Sequence, residues 1–190
     1  MKERSAGVMA VFGCPYNCSF CANTSLSGKG YMYRSCDSIL AEIQYLIDRY
    51  QVNWIGFGID CICADREKFL QIISSLHKKW PDLKWGASPC IWHLDDQLLE
   101  TMAEYGCNRL TLSVECGKQK NLTKLVNKPL KLDIVPGIAK KATDLGIMTS
   151  FNFLIGFPGE SWQDIRESLA FAESLDTDYI QINIATPLPK

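Results

Sequence analysis

The sequence predicts an α/β protein built on a parallel sheet. Short apolar runs recur at 6–13, 52–59, 83–88, 109–114, 149–156 and 179–185 without polar alternation, as in strands buried on both faces. Between them lie segments with apolar residues at helical spacing. The chain has 190 residues, 47% hydrophobic and 22% charged, which is enough for one sizeable core. Repeated strand–helix–strand units imply right-handed crossovers, and such a sheet either curls toward a barrel or stays open with helices on both faces. Periodicity does not choose between the two. A complete eight-stranded βα barrel takes about 250 residues, so a barrel here would be partial.

The elements follow in order. The run AGVMAVFG (6–13) leads directly into a cysteine cluster. SILAEIQYLIDRY (38–50) places Ile39, Ile43, Leu46 and Ile47 on one helical face, with Asp37 or Ser38 as N-cap. After VNWIGFGI (52–59) a helix is expected over 65–79, opened by Asp65, and after LKWGAS (83–88) another over 95–105, opened by Asp95 and stopped by Gly106. RLTLSV (109–114) precedes a helix over 134–145 that ends at Gly146 and runs into TSFNFLIG (149–156). Ser161 opens the last helix, 161–175, before YIQINIA (179–185). TPLPK (186–190) brings no helix to cover that strand, so residues 1–190 read as one domain cut from a longer chain.

Composition excludes several classes. A net charge of −1 gives no electrostatic reason to bind nucleic acid or a membrane surface. No stretch approaches the roughly 20 apolar residues of a membrane span, and MKERSAGVMAVFG is too short in its apolar part for a signal peptide; the expectation is a cytoplasmic protein. Nine cysteines are an odd number in a chain too large to need staples, so reduced thiols with a metal are expected rather than a disulfide scaffold.

GCPYNCSFCAN (13–23) sets Cys14, Cys18 and Cys21 within eight residues. A closed zinc or iron–sulfur site takes four protein ligands, so three suggest a site with one position open. The group sits at the C-terminal end of the first strand, the edge where parallel α/β folds place their chemistry. The alternatives are a zinc knuckle with a remote fourth ligand such as Cys36, or simply buried cysteines. His77 and His93 are both remote in sequence, and His77, beside Lys78 and Lys79, reads as solvated.

CxxxCxxC at the end of a first strand resembles the radical S-adenosylmethionine (SAM) superfamily. The ordered set GCPYNCSFCANTSLSGKGYMYRS, EI in the next helix, EYGCNRLTLSVECG, LVNK, FLIGFPGE and TPLP, spread over residues 6–189, resembles the radical SAM core of its cobalamin-dependent members, which include class B methylases and anaerobic ring-cyclising enzymes. The resemblance implies a partial (β/α)6 TIM-type barrel of parallel strands, open on one side. It implies a [4Fe-4S] cluster on Cys14, Cys18 and Cys21 and reductive cleavage of SAM to a 5′-deoxyadenosyl radical that takes hydrogen from a small-molecule substrate. Methyl transfer or ring closure would follow where cobalamin is supplied by a domain outside this chain, and an electron donor such as flavodoxin or ferredoxin is implied.

Position by position, the likeness puts Phe20 near the adenine and Asp60 at the methionine amino group, although Ile59 and Ile62 replace the neighbours usual there. It puts Ser113 and Glu115 near the ribose or carboxylate of SAM, Lys128 on the carboxylate and Asn152 on the ribose. Gly156, Ile184 and Ala185 would offer main chain to the adenine, with Glu160 at the start of a capped helix. Phe12 stands where the family commonly has Arg, and Gly86 where some relatives have an acid. Cys61, Cys63, Cys90 and Cys116 fall at strand ends; buried thiols, a hydrogen donor, a thiyl relay and ligands of a second cluster all remain open for them. A zinc- or cluster-binding module without radical chemistry is the competing class. Methylthiolation of transfer RNA shares the cysteines, but no basic extension accompanies them.

Overall fold

The computed structural model describes residues 2–23, 30–58 and 61–186. In chain order the strands are β1 (Ser5–Val8), β2 (Val11–Phe12), β3 (Met32–Tyr33), β4 (Trp54–Phe57), β5 (Lys84–Ala87), β6 (Cys107–Glu115), β7 (Met148–Ile155) and β8 (Tyr179–Ile184). The helices are α1 (Cys36–Tyr50), α2 (Arg66–Lys79), α3 (Asp96–Glu104), α4 (Gln119–Lys124), α5 (Val135–Asp144) and α6 (Trp162–Glu173). Six strands form one parallel sheet in the order β1-β4-β5-β6-β7-β8, so each joins the next sheet strand through a crossover. Among the described residues no ladder joins β8 back to β1, and the sheet is an open, partial barrel wall.

Four of these helices begin where a polar cap satisfies first-turn N–H groups, while α4 and α5 have no side-chain cap. Asp65 accepts from the Lys68 N–H, Asp95 from the Leu98 N–H, and Ser161 and Asp164 form a reciprocal capping box on α6. For α1 the cap is Ser35, neither Asp37 nor Ser38: Ser35 is extended (φ −64°, ψ 144°) and its side chain accepts from the Ser38 N–H, which puts Cys36 and Asp37 already in the first turn. Gly106 and Gly146 have φ of +93° and +71°, the left-handed geometry that stops α3 and α5.

The apolar stripes of the helices bury Ile39 and Ile43 of α1, Phe69, Ile72, Ile73 and Leu76 of α2, and Leu98, Leu99 and Met102 of α3 against the sheet. Each such side chain removed from water contributes about 1.5–3 kcal/mol before entropy is counted. Trp85 lies fully buried on β5 with its indole N–H donated to the Tyr105 carbonyl at 2.8 Å. Gly86 is forced by this packing, since a Cβ there would sit 2.7 Å from the Trp54 ring. An acid at this position would displace that ring.

Two strand expectations are corrected. The run 6–13 is two strands: β1 leaves the sheet after Val8, and β2 pairs antiparallel with β3, Val11 opposite Tyr33 and Phe12 opposite Met32. Ala10 and Val11 are both buried, and two successive buried residues break the period-two alternation that one strand would need. β8 is not buried on both faces; it is an edge strand whose Tyr179, Ile180, Ile182 and Ile184 are exposed. No helix among the described residues is long and apolar enough to cross a membrane.

Candidate active site

The short β2–β3 ribbon closes the base of the cysteine loop. Gly13 enters the loop with φ +83°, and a Cβ there would overlap the Gly30 carbonyl oxygen, so only glycine lets the two arms meet. The loop's other flank is tied to the segment after α4. Ser19 donates its N–H to the Val126 carbonyl at 2.9 Å and its hydroxyl to the Leu125 carbonyl at 2.5 Å, and Asn127 Nδ2 donates to the Asn17 carbonyl at 2.8 Å.

Cys14, Cys18 and Cys21 are outside any disulfide. Cys14 and Cys21 line a cavity of about 390 Å³ at the C-terminal ends of the sheet strands, together with Asn23, Cys61, Ser88, Pro89, Cys90, Thr111, Ser113, Lys128 and Asn152. Burial pushes the Cys18 thiol up to about 11; Lys128 opposes the rise, and Cys21, Cys14 and Glu115 add to it, which places all four groups within electrostatic reach of Cys18. Among the described residues no three Cys, His, Asp or Glu side chains gather on one mononuclear metal position.

The cavity's polar floor comes from adjacent strands. Ser113 on β6 is the ladder partner of Asn152 on β7, and both line the cavity. Asn152 Oδ1 is buried with no hydrogen-bond partner among the described residues, a costly state that a bound polar group would relieve. Past Ser113 the β6–β7 register shifts, and Glu115 takes φ +74°, uncommon for a non-glycine residue. Glu115 does not line the cavity. Its carboxylate accepts from Lys128 Nζ at 2.9 Å, and the same ammonium donates to the Ser113 carbonyl at 2.6 Å. Both side chains are only 7% exposed, so Lys128 is not a solvated lysine: it and Glu115, each expected to contact SAM, are one buried ion pair with the lysine facing the cavity.

The other expected contacts lie to one side. The Phe20 ring meets Phe157, in the turn after β7, edge-on at 6.0 Å between centroids. In that turn Gly156 has φ +86°, and its N–H and that of Phe157 both donate to Glu160 Oε2, at 2.6 and 3.2 Å. Glu160 therefore holds the turn. Ile184 packs near Gly156 at the end of β8, where the Ala185 N–H donates to the Ile155 carbonyl at 2.8 Å. None of Phe20, Gly156 and Ile184 lines the cavity itself. Asp60 lies outside the described residues.

Several residues of the site were not singled out by sequence. Thr111 precedes Ser113 by two on β6, and period-two alternation would have found it. His93 is remote in sequence but not in space: Tyr16, inside the cysteine loop, hydrogen-bonds His93 Nε2 at 2.5 Å. Burial lowers the His93 pKa, opposed by a hydrogen bond to the Cys63 main chain. His77 is half-buried and stacks on Tyr105, 5.1 Å between ring centroids. Cys36 points its sulfur at the Gln71 carbonyl, 4.0 Å away, on α2. The nine cysteines are not all reduced, because Cys61 and Cys90 are disulfide-bonded. Cys63, Cys107 and Cys116 are buried, with burial pushing each thiol up, Cys107 to about 12; they behave as core residues.

Residues 9–172 match the family model described as the radical SAM superfamily. Cytidylyl-2-hydroxyethylphosphonate methyltransferase of Streptomyces wedmorensis is 30% identical over 185 residues, 93% of this chain and 34% of that protein. An uncharacterized methyltransferase of Pyrococcus horikoshii is 28% identical over 96% of this chain and 39% of its own length. The anaerobic magnesium-protoporphyrin IX monomethyl ester cyclase of Rubrivivax gelatinosus is 25% identical over 100% of this chain and 34% of the cyclase. The chain thus spans only 34–39% of the length of these relatives. Among solved structures, the radical SAM methyltransferase TsrM of Kitasatospora setae, with tryptophan substrate and a SAM analog bound, superposes at a TM-score of 0.84 with 17% identity, over 94% of this chain and 35% of that one. That likeness establishes the fold. With its sequence match running from the start of the cysteine loop region into the last helix, this chain belongs to the radical SAM superfamily of enzymes.

Proposed function

We propose that this chain is the radical SAM core of a cobalamin-dependent type of enzyme, in which Cys14, Cys18 and Cys21 hold a [4Fe-4S] cluster and SAM occupies the adjoining cavity. The observation that carries this reading is the shared cavity itself, where two of the three cysteines face Ser113, Lys128 and the unpartnered Asn152 Oδ1 at the strand ends. In a cube each thiolate sits on a different iron, so the three need not converge on one point. A thiol as hard to ionise as Cys18 becomes a ligand by giving its proton up to the metal it binds.

A cluster held by Cys14, Cys18 and Cys21, with SAM beside it, would supply one-electron reductive cleavage of the sulfonium and hydrogen-atom abstraction from the substrate. The chain's own residues bind and orient. Asn152 Oδ1 accepts a hydroxyl hydrogen bond of the ribose, with the Ser113 side chain beside it. Lys128 offers a cation to the carboxylate of SAM while Glu115 keeps that cation oriented and compensated. Phe20 and Phe157 wall the adenine side, and the left-handed Gly156 lets main chain come close there. Residues 1–190 act as one core domain. Cobalamin, for methyl transfer or cyclisation of a small molecule, would come from another domain, and the electron from a flavodoxin- or ferredoxin-type donor.

Anaerobic reconstitution of the chain with iron and sulfide tests this. The expected product binds about four irons and four sulfides and, with dithionite and SAM, releases 5′-deoxyadenosine. One zinc with no labile sulfide, or no 5′-deoxyadenosine from a fully loaded cluster, overturns the reading.

A further inference from the structure

Cys61 follows β4 and Cys90 follows β5, 29 residues apart in sequence, with Cα atoms 5.6 Å apart and sulfurs bonded. Both line the same cavity as Cys14 and Cys21. The bond therefore braces two neighbouring strand exits across one wall of that cavity. Its two ends differ. Cys61 is 2% exposed, and Tyr31 donates its hydroxyl to the Cys61 carbonyl at 2.8 Å, fixing it from the β2–β3 ribbon. Cys90 is half-buried at the start of the turn Ile91–His93. On the Cys61 side, His93 Nδ1 lies 4.0 Å from the Cys61 sulfur while Nε2 is engaged by Tyr16. With Nε2 engaged by the Tyr16 hydroxyl, the Nδ1 proton is left for the Cys63 main chain, and the imidazole packs beside the Cys61 sulfur and screens it from solvent.

We propose that Cys61 and Cys90 form a thiol–disulfide exchange site for low-molecular-weight thiols, with Cys90 as the attacked sulfur and Cys61 as the leaving one. An incoming thiolate such as that of glutathione bonds to Cys90 Sγ. The Cys61–Cys90 bond breaks with its electron pair going to Cys61, whose thiolate then takes a proton from solvent. A second thiolate attacks the glutathione sulfur of the mixed disulfide, giving glutathione disulfide and the Cys90 thiolate, which is protonated in turn. Two glutathiones are oxidised and the protein bond takes up two electrons. Access favours this polarity, because Cys90 is half-buried while Cys61 is 2% exposed and exchange rates depend on which sulfur can be reached. The site is distinct from the cluster ligands and stands whether or not the cavity holds a cluster.

The whole chain, equilibrated anaerobically in reduced and oxidised glutathione of graded ratio, acid-quenched, alkylated, digested and weighed, tests this. The Cys61–Cys90 linked peptide is expected to disappear as the buffer becomes reducing and to return when it is reoxidised. Cys63, Cys107 and Cys116, buried in the fold, should be recovered alkylated and free of glutathione at every ratio. With oxidised glutathione, Cys61→Ser should form a mixed disulfide at Cys90 at least about ten-fold faster than Cys90→Ser forms one at Cys61. No linked peptide at any ratio, a link that native protein never loses, or equal or reversed rates would overturn the proposal. If the variants do not fold, reversibility in the unmodified chain decides alone. Cluster loading and 5′-deoxyadenosine play no part in these readouts, so this proposal and the radical SAM reading fail separately.

Discussion

Replacing Lys128 by Met removes the cation from a pair in which both side chains are 7% exposed and the charged atoms are 2.9 Å apart. At an effective dielectric constant of about 20, that separation is worth about 6 kcal/mol of Coulomb attraction, against the desolvation that both groups have already suffered. Lys128→Met strands the Glu115 carboxylate inside the strand-end cluster and also removes the donor to the Ser113 carbonyl. Breaking a buried pair this way costs about 3–5 kcal/mol, much of a total stability of about 5–15 kcal/mol. Urea unfolding, followed by circular dichroism on the wild type, Lys128→Met, Glu115→Gln and the double variant, measures it. The double variant should lose less than the sum of the single losses by at least about 1 kcal/mol, because Glu115→Gln removes the charge that Lys128→Met leaves uncompensated. A Lys128→Met loss under about 1 kcal/mol, or additive losses, would refute the argument that the pair is buried and coupled.

Gly13→Ala should lower the melting temperature by roughly 4–8 °C, about 2 kcal/mol or more for a left-handed φ with a Cβ overlapping the Gly30 carbonyl, and should cut bound iron after reconstitution. Ser161→Ala should cost about 1 kcal/mol in urea unfolding by opening the capping box on α6. Asp164 is held below its ordinary value of 3.8, first by Lys118 and then by the Ser161 main chain and hydroxyl. Its folded pKa is depressed, so its contribution is fully present above pH 3.8 and fades as pH falls through and below that value. Asp164→Asn should therefore be less stable than wild type at neutral pH and show a shallower loss on acidification below that point, as thermal melts across pH would report. Asn152→Leu should leave the protein at least as stable, since it removes a buried Oδ1 that bonds nothing within the protein, while weakening SAM binding measured by calorimetry.

The sheet was legible in the sequence because buried parallel strands are continuous apolar runs, and the caps Asp65, Asp95 and Ser161 were legible because a polar side chain stood directly ahead of an apolar stripe. Ser35 escaped because two further polar residues, Asp37 and Ser38, followed it, and the backbone angle that distinguishes a cap is not written in residue type. The break between β1 and β2 was hidden inside one apolar run, where pairing partner rather than hydrophobicity changes at Met9. In the site, the cysteine spacing was readable as local pattern, and Asn152 only through the family resemblance. The Glu115–Lys128 pair, the approach of His93 to Tyr16 and the Cys61–Cys90 bond join residues 13, 77 and 29 positions apart, and each is made by the fold.

Electron paramagnetic resonance of the dithionite-reduced, reconstituted chain, recorded with and without SAM, tests the vacant coordination position directly. Binding of the amino and carboxylate groups of SAM to the iron that lacks a cysteine should change the reduced-cluster spectrum. An unchanged spectrum at saturating SAM would contradict the open position on which the proposed chemistry depends.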